Sequence, residues 1–210
     1  MTLSLMRTNV RRDLHDEDAA NYRWTDAVLD RHIAHAVTDF SYALPLEATS
    51  TVATTSGSRD IDIASLADRV EIEAVEYKVG NFPPTYQRFS LWKDTLTILS
   101  DALPDSSNAK IYYGKLHTLD VSSSTIPQRY TDIVALGAAA YALLEWASFA
   151  VNRVNVAGAE AVRQYRAQGN DMLDRFRKEL KKLGRQNRVR VRQVYTPATT
   201  PSSKSTDWRP

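Results

Sequence analysis

Histidine is the side chain most ready to act as a base or a metal ligand near neutral pH, so the four histidines are the first place to look for chemistry. His32 and His35 stand three residues apart, which puts two ligands on one face of a helix, but no third ligand follows in a metal-binding pattern. A solvated helix face is the expectation. Asp16-Glu17-Asp18 offers hard oxygen ligands, yet lacks the alternation and the glycine of a calcium loop, and a solvated turn is expected there. His15 and His117 have no neighbouring context that pairs them with an activated serine, and there is no nucleophile elbow. The seven glycines are scattered, and none joins Lys-Ser or Lys-Thr in a phosphate-binding loop. Cysteine is absent, which closes disulfides, thiolate zinc sites and cysteine nucleophiles. The expectation is a chain that is not an enzyme, with no catalytic residue, no metal and no cofactor.

The charged feature that implies a partner lies near the C-terminus. From Arg175 to Arg192 nine Lys and Arg face the single acid Glu179, so the rest of a chain whose formal net charge is +2 is net acidic. Clustered cations of this kind, Lys181, Lys182 and Arg185 among them, suit a phosphate backbone or an acidic protein surface. The plainer reading is a solvated helix end, because cations near a helix C-terminus are stabilising. Beyond them, Arg188-Val189-Arg190-Val191-Arg192-Gln193-Val194-Tyr195 alternates basic and apolar residues with period two, as a strand with one buried face does. Such an arm needs a foreign surface on which to bury its valines. Thr196 to Thr206 has the composition of a flexible tail, and Trp208 beyond it suits an anchor on another surface.

The elements that must position these residues follow from periodicity. With 43% hydrophobic and 25% charged residues in 210, the chain has the makeup of an ordinary globular protein with one main core and room for a small second lobe. Leu3, Met6, Val10 and Leu14 predict a helix capped by Thr2 or Ser4. Thr25 is a natural N-cap for a second helix carrying Val28, Leu29, Ile33, Val37 and Phe40, with Asp26 well placed for its dipole and Pro45 as its stop. Trp24 is expected to pack between these two helices. From Glu47 to His117 the chain is rich in Thr, Val, Ile and Tyr, and strands are expected near 47–54, 59–63, 70–78, 86–92, 95–99 and 110–116, with Lys93-Asp94 as a tight turn. Helical spacing returns over Tyr130 to Val151, where alanines allow a close neighbour, and over Ala159 to Leu183, where Gly169 bends the helix or admits one. The apolar run Ile133–Val151 nearly reaches membrane-spanning length, but it carries Glu145 and is expected to be a core helix. The N-terminus lacks a signal-peptide pattern, so neither export nor a membrane partner is expected.

The order of these features resembles that of the head-to-tail connector proteins of tailed phages, the adaptor or head-completion family. Met6-Arg-Thr-Asn-Val-Arg-Arg-Asp-Leu-His-Asp16, a short loop, and Tyr22-Arg-Trp-Thr-Asp-Ala-Val-Leu-Asp-Arg-His-Ile33 are similar to the family's opening, a helix ending in a Leu-x-Asp-like element followed by a Trp-(Ser/Thr)-Asp cap. Leu14, Asp16, Trp24, Thr25 and Asp26 stand at the matching places, and the likeness is sharpest over residues 3–42. The resemblance implies a structural virion protein, assembled in the host cytoplasm. It implies a homo-oligomeric ring, usually of twelve copies, below the portal protein at the head-tail interface. The ring would extend the channel for packaged DNA and offer a platform for the next tail or nozzle component. The family's extended arms imply that Arg188, Val189, Arg190, Val191, Arg192, Val194, Tyr195 and Trp208 meet the portal or a neighbouring subunit. The expected fold class is α+β: a helical bundle over 1–46 and 120–185, an inserted β-rich lobe over 47–119 and an extended C-terminal arm over 186–210. The alternative is a phage-encoded nucleic-acid-binding protein that uses the basic 175–192 segment directly.

Overall fold

The computed structural model of the chain describes residues 1–150 and 158–195. The fold is α+β. Helix α1 (Leu3–Asp13) and helix α2 (Asp26–Ala43) come first. Seven strands follow: β1 (Leu46–Ala53), β2 (Asp60–Asp62), β3 (Arg69–Tyr77), β4 (Tyr86–Gln87), β5 (Phe89–Trp92), β6 (Thr95–Ile98) and β7 (Asn108–Lys115). A short 3-10 turn (Gln128–Tyr130) then leads into α3 (Thr131–Ala150), and α4 (Gly158–Val194) closes the described chain. Two compact units divide it, Met1–Leu46 with Leu116–Asn187, and Glu47–Lys115 with Arg188–Pro210.

In the helical unit both predicted caps form. The Thr2 hydroxyl accepts from the Leu5 amide and the Thr25 hydroxyl from the Val28 amide, supplying orphan donors of α1 and α2. The three-and-four spacing then delivers Met6, Val10, Leu29, Ile33 and Phe40 to one core with Val134, Ala138, Ala142 and Phe176. Helix α3 is long and apolar enough to cross a membrane by length and composition, and 56% of its most apolar window is buried inside the structure. Small residues set its distance from α4: a Cβ on Gly137 of α3 would stand 2.7 Å from the Phe176 ring, and one on Gly169 of α4 would stand 3.0 Å from Leu144. Gly169 thus admits a close neighbour.

In the β unit the strands form a four-stranded sheet in the order β1-β7-β3-β4 and a three-stranded sheet in the order β2-β6-β5. Alternation places Ile61, Leu96, Ile98, Ala109 and Ile111 in one apolar cluster with Val75. The stretch expected as one strand over 86–92 is divided at Arg88, because Tyr86 and Gln87 pair with β3 whereas Phe89 to Trp92 pair with β6. The Lys93-Asp94 turn joins β5 to β6 with Trp92 opposite Thr95. Neither turn residue favours a positive φ, yet Lys93 adopts 54°. The Arg69 guanidinium holds the turn from outside, donating to the Lys93 carbonyl at 2.8 Å and the Asp94 carboxylate at 2.6 Å.

The strand expected over Arg188–Tyr195 is corrected: α4 continues as a helix through Val194. The physical reason lies in composition and register. Arginine is a good helix former, and the next proline is Pro197. Leu180, Leu183, Asn187, Val191 and Val194 also continue a three-and-four spacing that the short period-two run conceals. Thr196 to Thr206 and Trp208 lie outside the described residues.

Candidate functional site

Three of the residues that carry the resemblance, Asp16, Trp24 and Asp26, join Arg11 in one polar knot between α1 and α2. Arg11 is buried, and its guanidinium donates to the Asp16 carboxylate at 2.7 Å, the Asp26 carboxylate at 2.8 Å and the Trp24 carbonyl at 3.0 Å. Asp16 in turn accepts from the backbone amides of Arg23 at 2.8 Å and Trp24 at 3.3 Å, so both its oxygens are used. A second arginine one turn earlier, Arg7, grips Asp30 with two donors at 2.6 and 2.7 Å and reaches Asp26 at 3.0 Å. The hydrogen bond from Arg11 is the main reason the Asp26 carboxyl lies below its ordinary range, and the neighbouring guanidinium charges add to it. The Arg11 guanidinium also sits 3.5 Å from the centre of the Tyr22 ring. Asp16 is therefore buried and paired, which corrects the expectation of a solvated turn at that residue, while Glu17 and Asp18 are exposed as expected.

Trp24 is 3% exposed and belongs to the same core as Leu14. Its indole N–H donates to the Ala142 carbonyl on α3 at 3.2 Å, and its ring meets Trp146 edge-on at 5.8 Å. Its hydrogen-bond partner and its aromatic neighbour thus lie on α3, beyond the two helices expected to enclose it. Beside this knot, an open cavity of about 400 Å³ is lined by Leu14, Asp16, Arg23, Trp24 and Tyr165. Three of its polar side chains are already engaged: Arg23 donates to the Tyr165 hydroxyl at 2.5 Å, and Asp16 is committed as above.

Three of the four histidines, His32, His35 and His117, have partners within the helical unit. His32 is buried and meets Glu145 of α3 at 2.5 Å through Nε2, which corrects the expected solvated face. Burial, helped by the nearby charges of Arg31 and His35, holds the His32 pKa below its ordinary value although Glu145 raises it. Glu145 loses solvation but is held below the ordinary carboxylate range by hydrogen bonds from His32 and Arg31. Neutral His32 therefore donates Nε2–H to an ionised Glu145. His35 is half exposed and stacks on Tyr141 with ring centres 4.1 Å apart. His117 is buried between the Leu44 carbonyl and Thr125, each 3.1 Å from a ring nitrogen, and burial lowers its pKa. Ser41 meets His117 through the backbone amide at 2.9 Å and not through the ring, so the two are no nucleophile and base. Among the described residues no group of three or more His, Asp or Glu side chains is placed to hold a metal ion.

Two features of α4 complete the picture. In the helical unit Arg175, Lys178, Lys181, Lys182 and Arg185 are exposed, opposite the buried Leu173, Phe176, Leu183 and Asn187. In the β unit the segment expected to reach outward is partly engaged within the chain. Arg190 pairs with Glu47 at 3.1 Å and with the buried Glu73 at 3.3 Å, and Tyr195 joins Tyr86 and Tyr112 with ring centres 5.3 and 5.1 Å apart. Burial holds the Glu73 carboxyl above its usual range despite Arg190. Arg188, Val189, Arg192 and Val194 remain exposed, and Val191 is half-buried.

Sequence reasoning missed Arg7 and Arg11. The signal was present as complementary spacing, two arginines four apart on α1 against two aspartates four apart on α2. Compared with known proteins, the chain matches no family model and no curated protein sequence.

Proposed function

We propose that this chain is a structural, non-catalytic adaptor of a phage head-to-tail connector. It works as one copy of a ring below the portal, extends the DNA channel and presents a platform for the next tail or nozzle component. In this reading the helices form the bundle of the adaptor and β1–β7 its inserted lobe. One observation carries it. The residues of the Leu14–Asp26 motif, from which the resemblance comes, are tied into a single element by Arg11, Asp16, Asp26 and the Trp24 backbone. A helix pair whose polar groups are consumed in fixing its own geometry suits a rigid part of an assembly better than a catalyst. Rings also multiply small contacts, so each interface can be modest while the closed assembly is tight.

The portal or neighbour contact falls on the outward residues of the last helical turns, Arg188, Val189, Arg192 and Val194, together with Trp208. Arg190 and Tyr195 act from within the chain, by holding those turns. The test is electron microscopy of the purified chain mixed with portal rings from the same source, with the chain alone as control. The expected result is a portal-dependent ring of extra density. Absence of that density, with the chain instead coating added DNA, replaces this reading with that of a nucleic-acid-binding protein.

A further inference from the structure

We infer that the outward face of α4 between Arg175 and Arg185 is a contact surface for the phosphate backbone of duplex DNA. The choice of DNA over another duplex rests on the adaptor reading; the surface chemistry does not. Arg175, Lys178, Lys181, Lys182 and Arg185 recur at three- and four-residue steps, so they share the face turned away from Phe176 and Leu183. They span about 15 Å of helix. Lys182 has Glu179 at 3.9 Å, a long and exposed pair. The other four make no ion pair among the described residues. Like charges at these spacings repel one another, and a row of phosphates, one charge per about 1.7 Å of duplex, relieves that repulsion.

The kind of polyanion follows from what the face lacks. Between Asn170 and Arg185 every exposed side chain is polar or charged, and the acids on the cationic face, Asp171 and Asp174, lie at its N-terminal end and are outnumbered by its five cations. A protein interface needs an apolar or aromatic centre that excludes water, with charges at its rim, and none is offered there. An interfacial membrane helix needs an apolar face to insert, whereas the apolar stripe of α4, with Leu173, Phe176 and Leu183, is buried in the core. Single-stranded nucleic acid is gripped by aromatic platforms, and the only aromatic ring in this stretch, Phe176, is fully buried. Duplex phosphates require cations alone, and such contacts position a helix without reading sequence.

The experiment is fluorescence anisotropy of the full chain with a short labelled DNA duplex of arbitrary sequence across a salt series. Log affinity should fall linearly with log salt. In the variant Lys178→Gln/Lys181→Gln/Arg185→Gln that slope should be shallower by roughly 2 to 3, about 0.9 for each lost phosphate contact. An equal charge removal elsewhere, Arg12→Gln/Arg88→Gln/Arg163→Gln, should leave the slope unchanged, and circular dichroism of both variants shows that α4 is intact. An unchanged slope in the first variant overturns the inference. So does displacement of the duplex by polyglutamate as effectively as by unlabelled duplex, which would make the partner an acidic protein. The adaptor reading fails separately: DNA binding through this face with no ring on the portal leaves the surface standing and removes the adaptor.

Discussion

The two most highly charged regions of this chain treat charge in opposite ways. Between α1 and α2, Arg7 and Arg11 are matched by Asp16, Asp26 and Asp30, and the Arg11 and Asp16 side chains are each only 7% exposed. Along α4, Arg175, Lys178, Lys181 and Arg185 stand exposed with no ion pair among the described residues. Buried ions are tolerated only where partners satisfy them, so the first region is committed to the fold and its charges are unavailable to a ligand. The second has no such commitment. Charge balanced inside the chain reports on structure, and charge left unbalanced on a helix face reports on what lies outside.

Breaking the committed region should cost the most. Trp24→Ala removes a buried indole and its hydrogen bond to Ala142, and about 3–5 kcal/mol of stability should be lost in urea denaturation. Asp16→Ala leaves the Arg11 guanidinium buried without its main partner, an expected loss of about 3 kcal/mol by the same measurement. Asp26→Ala is the contrast, because its side chain is 57% exposed and water can replace it; about 1 kcal/mol or less is expected. Equal losses at Asp16 and Asp26 would erase the distinction between buried and exposed partners. Gly137→Ala should cost about 1–3 kcal/mol, since the new Cβ would stand 2.7 Å from the Phe176 ring.

The pH dependence is smaller and its sign is fixed by burial. His32 and His117 both have pKa values held down by desolvation. As pH falls through about 6.5, the unfolded chain takes up protons that the folded chain refuses. Stability should therefore decline with falling pH until the lower folded-state values are reached. The melting temperature of the wild type should drop more between about pH 7 and pH 5 than that of His32→Gln/His117→Gln. An identical drop in both would assign the acid sensitivity to carboxylates such as Glu145, which is stabilised in its charged form and loses that contribution at lower pH.

Much of this was legible locally and little of it at long range. Thr2 and Thr25 announce their caps because a cap depends only on the next three residues, and β1, β3, β6 and β7 follow from alternation within a few residues. His32 was misread because Glu145, which meets it, lies 113 residues away and reaches it only through α2–α3 packing. Asp16 was misread because its partners come from α1 and from the turn before α2. Arg188–Val194 was misread for a different reason: Arg and Val alternate over only five residues, Arg188 to Arg192, too few to decide between the two periods, and the helix already running through Leu183 decides it.

The smallest expected effect is the sharpest test of the comparison. Lys178→Gln/Lys181→Gln/Arg185→Gln removes three charges that repel one another across one and two helical turns. Each like-charge pair costs a helix about 0.2–0.5 kcal/mol. The macrodipole gives little in return, because its effect fades within the last turn and α4 continues to Val194. Gln and Lys are nearly equal helix formers, so propensity does not offset the gain. The variant should be as stable as the wild type, or more stable by a few tenths of a kcal/mol at low salt, with the difference vanishing as salt screens the charges. A loss of stability in urea denaturation would mean that these cations hold the fold as Arg11 does, and the contrast between the two regions would collapse.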